Sequence, residues 1–147
     1  MKKNRFLLSA AVVLLLTTCV KPPEYSIIPH IEVLSINQND FDELDPTPLI
    51  VKIYFEDGDG DIGSDDSINM FWEDSRIPGY PQIFKIPFIP SEGNSKAISG
   101  TITVNYPITF CLDSLAIDTF YYRITIEDRA GHISNMDSTD NIYLHCN

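Results

Sequence analysis

Residues 49–56, LIVKIYFE, alternate along their whole length. Val51, Ile53 and Phe55 fall on one side of an extended chain, and Lys52, Tyr54 and Glu56 on the other. Side chains of a strand point to opposite faces with a period of two, so this segment can cover one face of a sheet but cannot line up an apolar stripe on a helix. Past residue 18 no segment sustains the 3.6-residue apolar period of an amphipathic helix, and the apolar residues alternate or run in short blocks. The pattern predicts strands over 31–36, 49–56, 67–73, 82–88, 97–106, 120–127 and 141–146. The gaps between them carry the turn formers Pro and Gly, as in RIPGYP, IPSEGNS and RAGH.

About seven short strands in roughly 120 residues predict an all-β chain, an immunoglobulin-like Greek-key β-sandwich occupying residues 30–147. At 44% hydrophobic and 11% aromatic the chain has enough apolar mass for a core. Trp72 falls on the third strand, where such sandwiches often bury an aromatic ring. In that topology the second and sixth strands end at one pole, and the fifth and seventh at the other. The loop DGDGDIGSDD after the second strand should therefore neighbour DRAGHISN after the sixth. Cys111 and Cys146 should meet at the opposite pole. They are expected to form a disulfide worth about 3–4 kcal/mol on loop-closure entropy, the alternative being two buried free thiols.

The chain starts with the basic MKKNR and the apolar FLLSAAVVLLL, a run too short to span a bilayer and typical of a secretory signal. Leu16-Thr17-Thr18-Cys19 resembles the lipobox of bacterial lipoproteins. The resemblance implies a signal peptide over 1–18, lipidation of Cys19 and stable anchoring by acyl chains at about 0.8 kcal/mol per buried methylene. Val20 stands where inner-membrane retention usually has Asp, which implies the outer membrane. Residues 19–29, rich in proline, are expected to be the lipid-anchored tether. YYRITIEDRAGHISN resembles the D-x-A-G-N-x-S segment of bacterial immunoglobulin-like domains, with His132 in the place of Asn. Together with FEDGDGDIG, the chain resembles small Bacteroidetes-type lipoproteins, a family that implies a fold and a location but no activity.

Glu56 to Asp66 places six carboxylates in eleven residues with no basic residue among them. Carboxylates so close repel unless a cation sits between them. Calcium takes six to eight oxygen ligands, and Asp57, Asp59, Asp61 and Asp65 hold positions 1, 3, 5 and 9 of a calcium loop, with the Gly63 carbonyl at position 7. Ile62 at position 6 and Ile68 at position 12 exclude a full EF-hand. A shorter site would take a further ligand from Asp66 or from Asp128 on the neighbouring loop. The competing reading is an acidic Asp-Gly turn with no ion.

The net charge of −11 argues against nucleic acid as a partner. His30, His132 and His145 show no zinc spacing, no GxSxG occurs, and nothing in the sequence points to catalysis. Tyr80, Phe84, Phe88, Tyr121 and Tyr122 could line a glycan platform, though aromatics on strands more often pack in the core. The expectation is a non-catalytic binding module for a glycan or protein ligand. Its loops after the second and sixth strands would be displayed away from the membrane. The alternatives are a purely structural envelope lipoprotein and, last, a small hydrolase.

Overall fold

In the computed structural model, Leu49, Val51, Ile53 and Phe55 are buried along one face of a strand, and Asp57 continues their row at its end. The structure describes residues 24–43, 45–90, 96–108, 110–112 and 116–146. The signal peptide, Cys19 and tether residues 20–23 lie outside these. Every regular element among the described residues is a strand. They are β1 (His30–Ile36), β2 (Asp40–Asp42), β3 (Leu49–Asp57), β4 (Met70–Asp74), β5 (Gln82–Phe84), β6 (Ile98–Tyr106), β7 (Ile117–Phe120), β8 (Tyr122–Ile126), β9 (Asp137–Ser138) and β10 (Ile142–His145).

The strands form three ladders, ordered β1-β3-β6, β5-β4-β8-β9 and β2-β10-β7. A single residue, Tyr121, separates β7 from β8, and residues 139–141 separate β9 from β10, so the last two ladders are halves of one bent layer. Hydroxyls make the bend. Ser75 Oγ accepts from the Tyr121 amide at 3.1 Å, and the buried Thr139 Oγ1 accepts from the Tyr122 amide at 3.0 Å. Each replaces a backbone partner that a straight ladder would have supplied. The sixth predicted strand therefore falls across the break, with most of it in β8, while the seventh is found as β10 and the short β9 precedes it.

β2 was not expected. It lies in the acidic, proline-bearing stretch after β1, where Phe41 alone is buried among the described residues, and it pairs parallel with β10. The chain from β1 to β2 thus crosses from one layer to the other. Two predicted strands are also shorter than expected. The side-chain amide of Asn69 accepts from the Ile86 amide at 2.6 Å and donates to its carbonyl at 3.0 Å. Asn69 stands in for a strand partner there, and the β4 and β5 ladder begins only at Met70 and Phe84.

Residues from all three ladders share one core, so the molecule is a β-sandwich. Trp72 on β4 is fully buried against Phe84, Tyr122 and, across the interlayer space, Tyr106 of β6, with ring centroids 4.8–6.1 Å apart. Outside β1, the Asn135 side chain both accepts from and donates to the Ile31 backbone at 2.9 Å, and Asp137 accepts from the Val33 amide at 2.6 Å.

At the pole where β6 ends, Cys111 and Cys146 form a disulfide with Cα atoms 6.1 Å apart. Beside it, Arg76 bonds Asp74 at 2.6 Å and Asp118 at 2.7 Å, and its guanidinium lies 3.5 Å from the centre of the Phe120 ring. Asp118 also accepts from the Leu112 amide at 3.0 Å, which ties the cysteine-bearing loop down. Burial raises the Asp118 pKa, but the Leu112 amide and Arg76 outweigh it and hold the carboxyl below its usual range. The stability this provides is present above the ordinary carboxylate range and is lost as pH falls through the lowered value. Arg76→Ala strands two buried carboxylates and is expected to cost about 3–5 kcal/mol in urea denaturation. The deficit should shrink in mild acid, as the stranded Asp118 carboxyl takes up a proton.

Candidate metal centre

β3 and β8 end at the pole opposite the disulfide, in the two layers, and the loops that follow them meet there. The Arg129 amide donates to the Asp61 carbonyl at 3.2 Å. Asp57 closes β3 and Asp128 follows β8 by two residues. Asp57, Asp59, Asp61 and Asp128 each bring one carboxylate oxygen to within 4.8 Å of the others.

Glycine lets the first loop turn this tightly. Gly60 and Gly63 have φ of 72° and 85°, and a Cβ on either would collide with the carbonyl of Lys96 or Pro87 respectively. Between them Ile62 is fully buried and anchors the loop in the core. An EF-hand needs glycine at that position, whereas this loop uses a hydrophobic plug.

Two of the expected ligands stand elsewhere. The Gly63 carbonyl accepts from the Arg129 guanidinium at 2.6 Å, and the same side chain reaches the carbonyls of Gly60 at 3.4 Å and Ile62 at 3.5 Å. Asp65 is exposed, where its carboxylate accepts from the Phe88 amide at 3.2 Å. Arg129 is drawn to the loop's carbonyls and Asp65 to the solvent side. The carboxylates that converge are Asp57, Asp59 and Asp61 with Asp128 from the other loop, and the exposed Asp66 is not among them.

Three of the four aspartates each have one oxygen without a protein partner. Asp57 is 0% and Asp128 6% exposed, and Oδ1 of Asp57, Asp59 and Asp61 is in each case buried without a hydrogen bond. The other Asp57 oxygen accepts from the Asp61 amide at 2.8 Å. Asp128 is held by His132, whose amide and Nδ1 each lie 2.8 Å from one of its oxygens. Among the described residues, this is the sole ion pair to any of the four carboxylates. Two such charges 4–5 Å apart repel by about 1 kcal/mol in water and about 4 at an effective dielectric near 20. Burial first, and then the neighbouring carboxylates, push the Asp57 and Asp61 pKa values up. The hydrogen bond that the His132 ring donates to Asp128 raises the pKa of His132. A set of oxygen donors with no nitrogen or sulfur suits a hard divalent cation, with water completing the shell.

The chain enters the sandwich at this same pole. The Gly58 amide donates to the Ser26 carbonyl at 2.7 Å, and a Cβ on Gly58 would run into the carbonyls of Tyr25 and Ser26. Pro29 is buried. Residues 25–29, expected to be tether, therefore lie along the domain, and the two loops sit beside the point of entry rather than far from it. An open cleft of about 470 Å³ adjoins the carboxylates, between residues 64–69 and 127–131.

The aromatic residues form no common platform. Phe84 and Tyr122 pack on Trp72, Phe88 lies under Arg129, Tyr121 contacts Arg123, and Tyr80 is exposed at the far end of β4. Sequence reasoning missed the parts played by Ile62, Arg129 and His132. The four-residue spacing from Asp128 to His132 around Gly131 was the available signal for the last.

Raised pKa values for Asp57 and Asp61 mean that their ionisation opposes folding. The stability they supply when protonated is present below the ordinary carboxylate value and is lost as pH rises through the folded one. In chelator, the melting temperature is therefore expected to rise as pH is lowered from 7 to about 5. His132 contributes in the same direction. Asp57→Asn with Asp61→Asn should flatten the rise, and an unchanged slope in that variant would show that the carboxylates are not its source.

No protein-family profile, curated protein or solved structure matches this chain.

Proposed function

We propose that this protein is a lipid-anchored, non-catalytic binding module of the bacterial outer membrane, an immunoglobulin-like Greek-key sandwich whose acidic loop is held by calcium. One observation carries the reading: three buried carboxylate oxygens without partners point among four converging aspartates. A buried unpaired acceptor costs about 1–3 kcal/mol, and more when charged, so a site that gathers three gains most from a cation. Calcium fits better than magnesium, which dehydrates reluctantly and seldom takes four carboxylates from one protein. Since the ligands come from two loops, the ion would pin residues 57–61 to Asp128 and firm the cleft beside them.

The leader supports the location, since basic start, apolar run and Cys19 follow in the order of a lipoprotein signal. The immunoglobulin-like topology is supported by the pairing of β3 with both β1 and β6 in one layer, and by the packing of β4 on β8 in the other. A glycan or a protein loop is the class of ligand that the cleft and its two loops would take.

Calcium titration of the protein by calorimetry, with melting curves, tests the central claim. Calcium at 100 times its dissociation constant should add about 2.7 kcal/mol of stability. Asp59→Asn with Asp61→Asn should abolish both the heat and the shift. Absence of heat in the parent would make the loop an acidic turn.

A further inference from the structure

We propose that the acidic pole is the end of the domain that rests on the phospholipid bilayer, and that a divalent ion among Asp57, Asp59, Asp61 and Asp128 lets it approach. The inference builds on the lipid anchor and the metal site of the preceding reading and reverses the outward display of these loops expected from the sequence.

Chain connectivity sets the orientation. Tyr25 and Ser26 are seated against Gly58, directly beside Asp57 and Asp59. Cys19 precedes Glu24 by five residues, a length that reaches at most about 18 Å fully extended. With acyl chains on Cys19, the acidic pole is held close to the headgroups, while the disulfide pole lies at the other end of β3 and β6.

The surface of this pole suits a lipid interface. Ile27, Ile28, Ile68, Phe88, Ile133 and Met136 are each about half exposed or more, all on the segments that meet there. Phe110, Leu112 and Ile117 are exposed near the opposite pole as well, so apolar residues alone do not orient the domain; the point of entry does. Arg129 stacks over Phe88 with its guanidinium 5.1 Å from the ring centre, placing a cation beside an exposed apolar side chain, as an interface with lipid headgroups needs. Lys85 projects nearby, bonding the Asp65 carbonyl at 2.6 Å. Empty, the cluster would hold four crowded carboxylates close to the lipid surface, two of them buried, and bringing that charge towards the low-dielectric bilayer is costly. A bound divalent ion removes much of that field.

The test uses the full lipidated chain reconstituted into phosphatidylethanolamine and phosphatidylglycerol vesicles that contain doxyl-labelled lipid. An environment-sensitive fluorophore is placed on Ile133→Cys at the acidic pole, or on Tyr80→Cys at the far one, where the native side chain is 76% exposed. With calcium, the probe at 133 should lose most of its fluorescence and the probe at 80 very little, and chelation should restore the former. Equal quenching at both positions, quenching at 80 alone, or failure of the chain to insert overturns the proposal. Calorimetry on the same vesicles separates the two readings. Calcium heat without quenching at 133 overturns docking alone. Absence of heat removes the metal and leaves the contrast between 133 and 80 to decide docking by itself.

Discussion

Asp57 occupies the last buried position of a row otherwise made of Leu49, Val51, Ile53 and Phe55. A carboxylate in such a place keeps its charge only if its surroundings replace the water it has lost. One oxygen is answered by the amide of Asp61, which the tight turn at Gly60 brings back towards β3. The other is answered by no protein group, and the remaining three aspartates crowd around it. The turn, the buried Ile62, the reach of Arg129 to the loop carbonyls and the grip of His132 on Asp128 are all arranged about this one end of β3.

The two poles handle buried acid differently. Near the disulfide, Asp74 and Asp118 are offset from within by Arg76, which forks to one, bonds the other and stacks on Phe120. At the far pole, four aspartates converge and the nearest arginine, Arg129, turns to backbone carbonyls instead. The first pole carries its counter-charge in the sequence, and under our reading the second takes its own from solution. The packed aromatic centre around Trp72 separates them.

Much of this arrangement was legible in the residues. The alternation of 49–56 locates β3, the strand count brings the loops at 57–66 and 128–135 together, and the same count sends Cys111 and Cys146 to one place. What was hidden depends on single side chains bonding backbone far away in sequence. Ser75 and Thr139 break the chain between β7 and β8 by capping neighbouring amides, Asn69 imitates a strand edge for Ile86, and the buried Phe41 anchors β2 within a polar stretch. No local pattern announces such pairings. The acidic loop was legible as a cluster but not as a geometry. Spacing suggested Gly63 and Asp65, whereas the fold of the loop depends on where Ile62 and Arg129 can pack.

The two flanks of the β1-β3-β6 layer are finished unequally. The outer edge of β1 is covered by Asn135 and Asp137, whose side chains occupy its backbone groups. Among the described residues, the outer edge of β6 pairs with no strand, and its nine residues, ISGTITVNY, contain neither charge nor proline. Sheets commonly guard such an edge with lysine, proline or a bulge, because a bare one is a template for another chain. Here protection falls to the strongly negative charge of the whole molecule, which keeps copies apart only while salt is low enough for that repulsion to be felt. Crowded at high ionic strength, the protein would then be most vulnerable to edge-to-edge self-association along β6.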